Sequence, residues 1–544
     1  MLHMEKKRNE QPPAKTPAVK RNNRNNRNLA WIISVVLVMT VVLSACGTGT
    51  KEEAQTQGGT VPSNDPLELS IMTITPSAVP AADDNVIKRE IEKATNSKMT
   101  IQWVSNNIYT DKLNLTLASG DIPDLIMIND PFGSTFTKMV KQGAFWDITP
   151  YIQDYPNLSK RIPDIAWETT KAADGSNYGI PRPRPVTGDS FFIIRKDWLD
   201  KLNLKVPETT DELFEVMQAF VEQDPDGNGK KDTTALAAYV SPDDLGWGGN
   251  LGPVLGAIES SFLGINGNWK WDEAQGKLVY RELLPEVRKS LQYLTKAYAN
   301  GMMPEDLLSL KLTQARELFK RNQAGIIVDK TGTMRKIYAD DLKKVDPDFK
   351  YTDFYPLTNL NGYNPKGAGY NGILAIPSSV PEEKMKRILQ LVDTWMNPEV
   401  FEIQHYGIEG VHHTVVDGKK VANSEKLTAD NASDFNHIVN IIDLPWDTTA
   451  ETEEETQANE LFKKVEEERD QTSVADLTAG MQSETGQKIL PELNKKIQDL
   501  KAKIILGREP IEAWDAFVES LRSDPNMQAM TDEMTEAYKK RNGQ

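Results

Sequence analysis

From Leu67 onward the chain alternates strand-like and helix-like hydrophobic patterns. Leu67, Leu69 and Ile71 alternate with polar residues, Ile87, Ile91 and Ala94 recur at helical spacing, and Met99, Ile101 and Trp103 alternate again. Leu113 and Leu117 share one face of a second helix that stops at Gly120. The unbroken apolar run Leu125–Ile128 then has the pattern of a strand buried on both faces. Strand and helix units in this order predict an open parallel sheet with helices on both sides. In the middle of the chain Thr209 and Glu212 make a capping box for a helix whose apolar face is Leu213, Val216, Met217 and Phe220. Val287, Leu291, Leu294 and Tyr298 form another stripe, ended by Gly301, and Pro381 opens a third with Met385, Leu389 and Val392 facing inward. The Glu-rich stretch 450–470 reads as a solvated helix face, because Leu461, Phe462 and Val465 give it an inner side.

The N-terminus breaks this pattern. Residues 1–28 hold eight Lys and Arg against two Glu, and residues 29–45 are apolar apart from Ser34, Thr40 and Ser44. A basic leader followed by such a run is a signal sequence or a short anchor, and it falls below the ~20 residues a spanning helix needs. Leu43-Ser44-Ala45-Cys46-Gly47 favours the first reading, since an apolar residue, two small residues and a cysteine have the layout of a lipobox. Acylation of Cys46 would make it the new N-terminus and hold the protein at the outer face of the membrane. Cys46 is the only cysteine, so no internal disulfide is available to the exported chain. Residues 47–66 are rich in Gly, Thr, Ser, Gln and Pro and cannot bury a core. The expected organisation is a lipoprotein signal peptide at 1–45, a lipidated tether at 46–66 and a folded body from Leu67.

Length and charge narrow the picture further. A chain of 544 residues with 39% hydrophobic content has material for more than one core. The formal charge of −16 becomes more negative once the basic leader is removed. Such a surface repels nucleic acid and anionic headgroups, which excludes nucleic acid as a partner.

The sharpest local chemistry is the loop 224–232. Oxygen-bearing side chains stand at Asp224, Asp226, Asn228 and Asp232, with Gly229 at the sixth position and the Lys230 carbonyl at the seventh. That spacing wraps a chain around a hard cation such as calcium. The loop departs from the EF-hand at position twelve, where Ala235 replaces the bidentate Glu. The alternative is a polar Gly-rich turn. Of the 11 Trp, Trp103, Trp198 and Trp395 sit at packing positions. Trp247 and Tyr370 differ, because glycines on both sides leave each ring free to stack on the apolar face of a pyranose. Trp446, beside Pro445, is a third candidate. His405, His412 and His413 have no second ligand set at zinc spacing.

Five segments together resemble the bacterial extracellular solute-binding proteins of the sugar-uptake type (family 1). They are Leu117-Ala118-Ser119-Gly120-Asp121-Ile122-Pro123-Asp124, Asp174-Gly175-Ser176-Asn177-Tyr178-Gly179-Ile180-Pro181, Arg195-Lys196-Asp197-Trp198-Leu199-Asp200-Lys201-Leu202, the loop 224–232, and Gly407-Ile408-Glu409-Gly410-Val411-His412. The resemblance runs from Leu67 to the C-terminus and implies an α/β, two-lobed, periplasmic-binding-protein-like fold of type II. Each lobe would be an open sheet flanked by helices, with a cleft between the lobes. It also implies crossings near Pro181–Pro185 and Tyr355, with residues 67–184 and 356–408 in the first lobe and 185–355 and 409–544 in the second. Similar loops in related sugar binders hold calcium, which favours that reading of 224–232. Asn129, Asp130, Arg182, Arg184, Asp329, Glu409 and His412 fall on loops that the family places around the cleft.

The function implied is capture of a carbohydrate by lobe closure and delivery to a membrane permease of an ABC importer by a monomeric, lipid-anchored protein. No Gly-x-Ser-x-Gly elbow, phosphate-binding Gly-rich loop or His-Glu-x-x-His is present. Two alternatives remain: a secreted glycan hydrolase, whose paired carboxylates are invisible in sequence, and a surface sensor or adhesion protein on the same fold.

Overall fold

A computed structural model describes residues 65–75, 77, 79–187, 190–241, 248–416, 418–442 and 452–543. Cys46, Trp247 and Trp446 lie outside the described residues. Nine strands build the two principal sheets: β1 (Leu67–Thr75), β2 (Ser97–Ser105), β3 (Leu125–Ile128), β4 (Ile180–Pro183), β5 (Phe191–Arg195), β6 (Thr234–Leu236), β7 (Ala324–Asp329), β8 (Phe354–Pro356) and β9 (Tyr370–Ala375). The first sheet has the order β2-β1-β3-β9-β4 and the second the order β8-β5-β7-β6.

The first sheet follows the hydrophobic pattern through β1, β2 and β3 but is mixed rather than parallel, because β9 pairs antiparallel with both β3 and β4. β1 and β2 run parallel in unbroken register from Leu67↔Ser97 to Thr75↔Ser105. The helix Val86–Ala94 between them is capped by the Asn85 side chain, which accepts from the Ile87 and Lys88 amides. The crossover helix Tyr109–Ser119 ends where Gly120 adopts a left-handed φ of 76°. β3, buried along its length, lies parallel to β1 and antiparallel to β9, the strand that returns from the other lobe. Gly372 makes this pairing possible, because a Cβ there would stand 2.7 Å from the Ile128 carbonyl oxygen. In the second lobe, helices Thr210–Glu222, Pro285–Ala299 and Glu484–Ile505 pack on one side of the sheet through Phe220, Leu291 and Ile497. Phe319 and Tyr338 cover the other side against Ile193, Ile327 and Phe354.

Two lobe boundaries differ from the expected ones. Residues 409–441, assigned to the second lobe, pack in the first, where Ala432, Phe435, Ile438, Val439 and Ile441 join the core. The Phe435 ring meets Trp103 edge-on at 5.8 Å, and that apolar contact decides the placement. Leu357, Leu360 and Tyr363, assigned to the first lobe, are buried in the second core, so the return crossing follows Tyr363 rather than Tyr355. The chain enters the second lobe again before the helix Glu453–Thr472.

The crossing segments are laced together. Arg184 N donates to Gly369 O, Gly367 N to Val186 O and Lys366 N to Val474 O, each at 2.9 Å. Asn266 Nδ2 donates to both Lys366 O (2.9 Å) and Val474 O (3.1 Å). Beyond this hinge, the start of the helix Glu484–Ile505 touches the first lobe through the Lys141–Glu484 ion pair at 3.2 Å, whose side chains are 58% and 75% exposed. Among the described residues no helix is long and apolar enough to cross a membrane.

Candidate functional site: the interlobe cleft

The C-terminal ends of β3 and β7 point into one cavity of about 1280 Å³, and open sheets hold ligands outside the carboxyl ends of their strands. β3 delivers Asn129 and Asp130, β7 delivers Asp329 and Lys330, and β9 begins with Tyr370. The rings of Phe132, Tyr239, Trp269, Tyr363 and Tyr370 share the wall with polar side chains from both lobes. The volume exceeds the ~300–1,000 Å³ of pockets that enclose one drug-sized molecule, so several linked sugar rings can enter.

The predicted residues fall into three groups. Asn129, Asp130, Asp329 and Tyr370 line the cavity. The Asp130 Oδ1 accepts from the Phe132 amide at 3.0 Å, and burial pushes its carboxyl up from the ordinary range. Burial, with Asp130 and Asp476 nearby, pushes the Tyr370 phenol up to about 12, so it remains a donor at neutral pH. Asp329 is committed to the wall itself, accepting from Arg316 Nη2 at 2.8 Å and Tyr338 Oη at 2.6 Å.

Arg182, Arg184, Glu409 and His412 do not line the cavity, contrary to expectation. Arg182 is buried behind the first-lobe wall, where Nη1 donates to Asn371 O at 3.0 Å and Nη2 to His437 Nδ1 at 3.1 Å. Burial and the adjacent Arg184 push it down to about 9. Arg184 Nη1 donates to Pro183 O at 2.8 Å. His412 ties its own turn together: Nδ1 accepts from the Ile408 amide at 3.1 Å, so Nε2 donates to Asp430 at 2.8 Å. Glu409 is exposed on that turn. Trp247 and Trp446 are outside the described residues.

Several lining residues had no sequence signal. Asp476 sits after the short strand Ser473–Val474, on a turn that carries no hydrophobic period. Its Oδ1 accepts from Thr478 N and Thr478 Oγ1, both at 2.8 Å, and burial pushes its carboxyl up. Arg281 is fully sequestered, with Nη2 donating to Glu259 at 2.8 Å and Nη1 to Gly267 O at 3.0 Å. Behind it Lys501 pairs with Glu259 at 2.8 Å and Glu282 at 2.7 Å, so two buried cations balance two buried carboxylates. The only clue to Phe132 was its position just past the end of β3.

The loop 224–232 lies on the surface of the second lobe. Asn228 Nδ2 stands between Asp226 Oδ2 (2.7 Å) and Asp232 Oδ1 (2.9 Å), while Gly229 N donates to Asp224 Oδ2 at 3.0 Å. Asp224 Oδ1 is buried without a donor. Burial and the neighbouring Asp224 and Asp232 push Asp226 up. Among the described residues no three His, Cys, Asp or Glu side chains are grouped as a finished metal cage, because the Asn228 amide separates the carboxylates.

Two sheets joined by laced crossings around a polar and aromatic cleft define a two-lobed solute receptor. Residues 87–429 match the family described as bacterial extracellular solute-binding protein, and the chain belongs to that family. It is 32% identical over 523 residues to the polygalacturonan/rhamnogalacturonan-binding protein YtcQ of Bacillus subtilis (strain 168), an alignment covering 94% of this chain and 99% of that one. It is 31% identical over 387 residues to the lipoprotein LipO of the same organism, covering 70% and 74%. The Streptococcus pneumoniae ABC-transporter substrate-binding protein FusA, solved in complex with kestose, shares the fold with a TM-score of 0.64 at 17% identity, over 88% of this chain and 99% of that one.

Proposed function

We propose that this protein captures an oligosaccharide between its lobes and passes it, chemically unchanged, to the membrane permease of an ABC importer. The observation that carries the reading is a cavity of about 1280 Å³ walled by both lobes, where the half-buried rings of Phe132 and Tyr370 stand among hydrogen-bonding side chains. Ring faces suit the C–H surface of a pyranose, and paired donors and acceptors suit its hydroxyls. The names of YtcQ and FusA support carbohydrate as the class, and that of YtcQ makes pectic oligosaccharides the first to test. Tethering at the outer face of the membrane through acylated Cys46 follows from the lipobox layout and is supported by the similarity to LipO.

A structural calcium ion at the loop 224–232 is a second part of the proposal. Asp224, Asp226, Asn228 and Asp232, with the Lys230 carbonyl, supply a hard oxygen donor set, and the orphaned Asp224 Oδ1 is an acceptor in need of a partner. A cation there would relieve the repulsion that pushes Asp226 up and would tie the loop down without touching the solute.

The test is a thermal-shift titration of protein extracted from the membrane fraction with pectic, fructan and neutral galactan oligosaccharides. A ligand at one hundred times its dissociation constant adds about 2.7 kcal/mol of stability. No shift with any glycan, conversion of a glycan into products, or recovery of unacylated protein from the cytosol would each overturn part of the reading.

A further inference from the structure

Between the short strand Ser473–Val474 and the helix Glu484–Ile505 the chain runs as a strap, Ala475 to Ser483, built of turns and bare of strand or α-helix. Asp476, Thr478, Gly480 and Gln482 are among its residues that line the cavity. One end is sewn to the crossing segments, where Lys366 N donates to Val474 O and Asn266 bridges to Asp476. From there the strap runs along the first lobe. Gly480 has a φ of 78°, and a Cβ on it would stand 3.0 Å from Thr169 O. Gln482 Nε2 reaches Thr137 Oγ1 at 3.5 Å, and the exposed Lys141–Glu484 pair ends the row.

The bonds that hold the strap in its own lobe are of a stronger kind. Asp476 Oδ1 accepts from Thr478 N and Thr478 Oγ1, Met481 N donates to Thr478 O at 2.9 Å, and Gln487 Nε2 donates to Gln482 Oε1 at 2.9 Å. The C-terminal helix Pro525–Arg541 then pins the strap at two points. Glu533 accepts from Ser483 Oγ, from Thr485 Oγ1 and from Thr485 N at 3.0 Å. Arg541, about two turns further along that helix, donates to Leu477 O and to Ala479 O at 2.7 Å. The helix itself is rooted in the second core through Met527, Met530 and Met534. Hydrogen bonds with one charged partner are stronger than neutral ones, whereas a long amide–hydroxyl contact and an exposed ion pair contribute little. The strap therefore belongs to the second lobe, and the weak line runs between it and the first.

We infer that residues 475–483 form a side wall of the cleft carried by the C-terminal helix, and that the seam between Gly480 and Gln482 on one side and Thr169 and Thr137 on the other parts when a solute enters or leaves. Glu533 and Arg541 do not line the cavity, so they are positioning residues that act through the strap. Glycine at position 480 lets the two lobes meet along the seam. The inference rests on the reading of the cleft as a solute site and adds the route by which it is entered.

The test is a disulfide across the seam, Thr137→Cys with Gln482→Cys, in the full chain, whose only native cysteine is Cys46. Oxidised while empty, this variant should take up trigalacturonate or kestose at least about tenfold more slowly than its reduced form, because binding that needs a conformational change lowers the association rate. Oxidised after loading, it should hold the same probe through a dialysis that empties the reduced form. Equal uptake in the two redox states, or thiols that do not join, would overturn the seam and leave carbohydrate capture standing. Hydrogen exchange gives a readout without solute. Arg541→Met should speed exchange of the 477–482 amides while those of β5 and β7 keep their rates, and an unchanged strap would remove the role of the C-terminal helix. In the empty protein the disulfide should slow the 479–481 amides, and identical rates in both redox states would again overturn the seam. Silence of the unaltered protein toward both probes would count against carbohydrate capture instead, with the strap still judged by exchange.

Discussion

Arg182 is buried against a histidine rather than a carboxylate, and that choice of partner has a pH signature. Burial, followed by the charges of Arg182 and Arg184, pushes His437 from 6.5 down to about 3. The folded protein therefore refuses a proton that the unfolded chain accepts. Stability from this residue is complete above pH 6.5 and is lost as pH falls toward 3, at up to about 1.4 kcal/mol per pH unit. Asp130 and Asp476, pushed up by burial, work in the opposite direction: their contribution is present below the ordinary carboxylate range and is lost as pH rises through their folded values. His437→Gln isolates the histidine term. Its melting temperature should fall less steeply than that of the unaltered protein between pH 6.5 and 4, and an identical slope would show that His437 does not titrate as described. The same neighbourhood shows what a string of residues cannot display. Arg182 and Arg184 had the composition of sugar ligands, but Arg182 on β4 is turned toward His437, on a segment over two hundred residues later whose Phe435, Ile438 and Ile441 pack into the first core. Asp476 was invisible for the converse reason, since an acid on an aperiodic turn has no pattern until the turn is folded over Gly267.

Elements were more legible than residues. Period-two and period-3.6 patterns located β1, β2, β3 and the helices between them, and the Thr209 capping box is made by both of its hydrogen bonds. What failed was allegiance: the 3-10 helix Ala432–His437 has an apolar side that either lobe could bury, and only the Trp103 and Trp395 rings claim it for the first. The loop 224–232 is a single element whose prediction belongs at this scale. Calcium should raise the melting temperature of chelator-treated protein, terbium should luminesce on binding, and Asp226→Asn should weaken both effects without abolishing sugar binding. Absence of any cation-dependent shift in the unaltered protein would remove the ion and leave a hydrogen-bonded turn.

At the scale of the whole molecule, two lobes and a second return to the far lobe followed from the family resemblance, but the return was placed at 409 rather than after Ile441, because nothing periodic marks a crossing. If the laced crossings act as a hinge, a ligand that touches both lobes favours a closed arrangement only through contacts that an open one lacks. Small-angle scattering should therefore show a smaller radius of gyration with a bound oligosaccharide, and an unchanged radius at saturation would count against rotation. The Lys141–Glu484 bridge away from the hinge bears on how such a state ends. Water-exposed partners of this kind contribute at most about 1 kcal/mol. A fastening that weak cannot hold the lobes together alone, so under the hinge reading the time a solute stays inside would be set by its own grip on both walls.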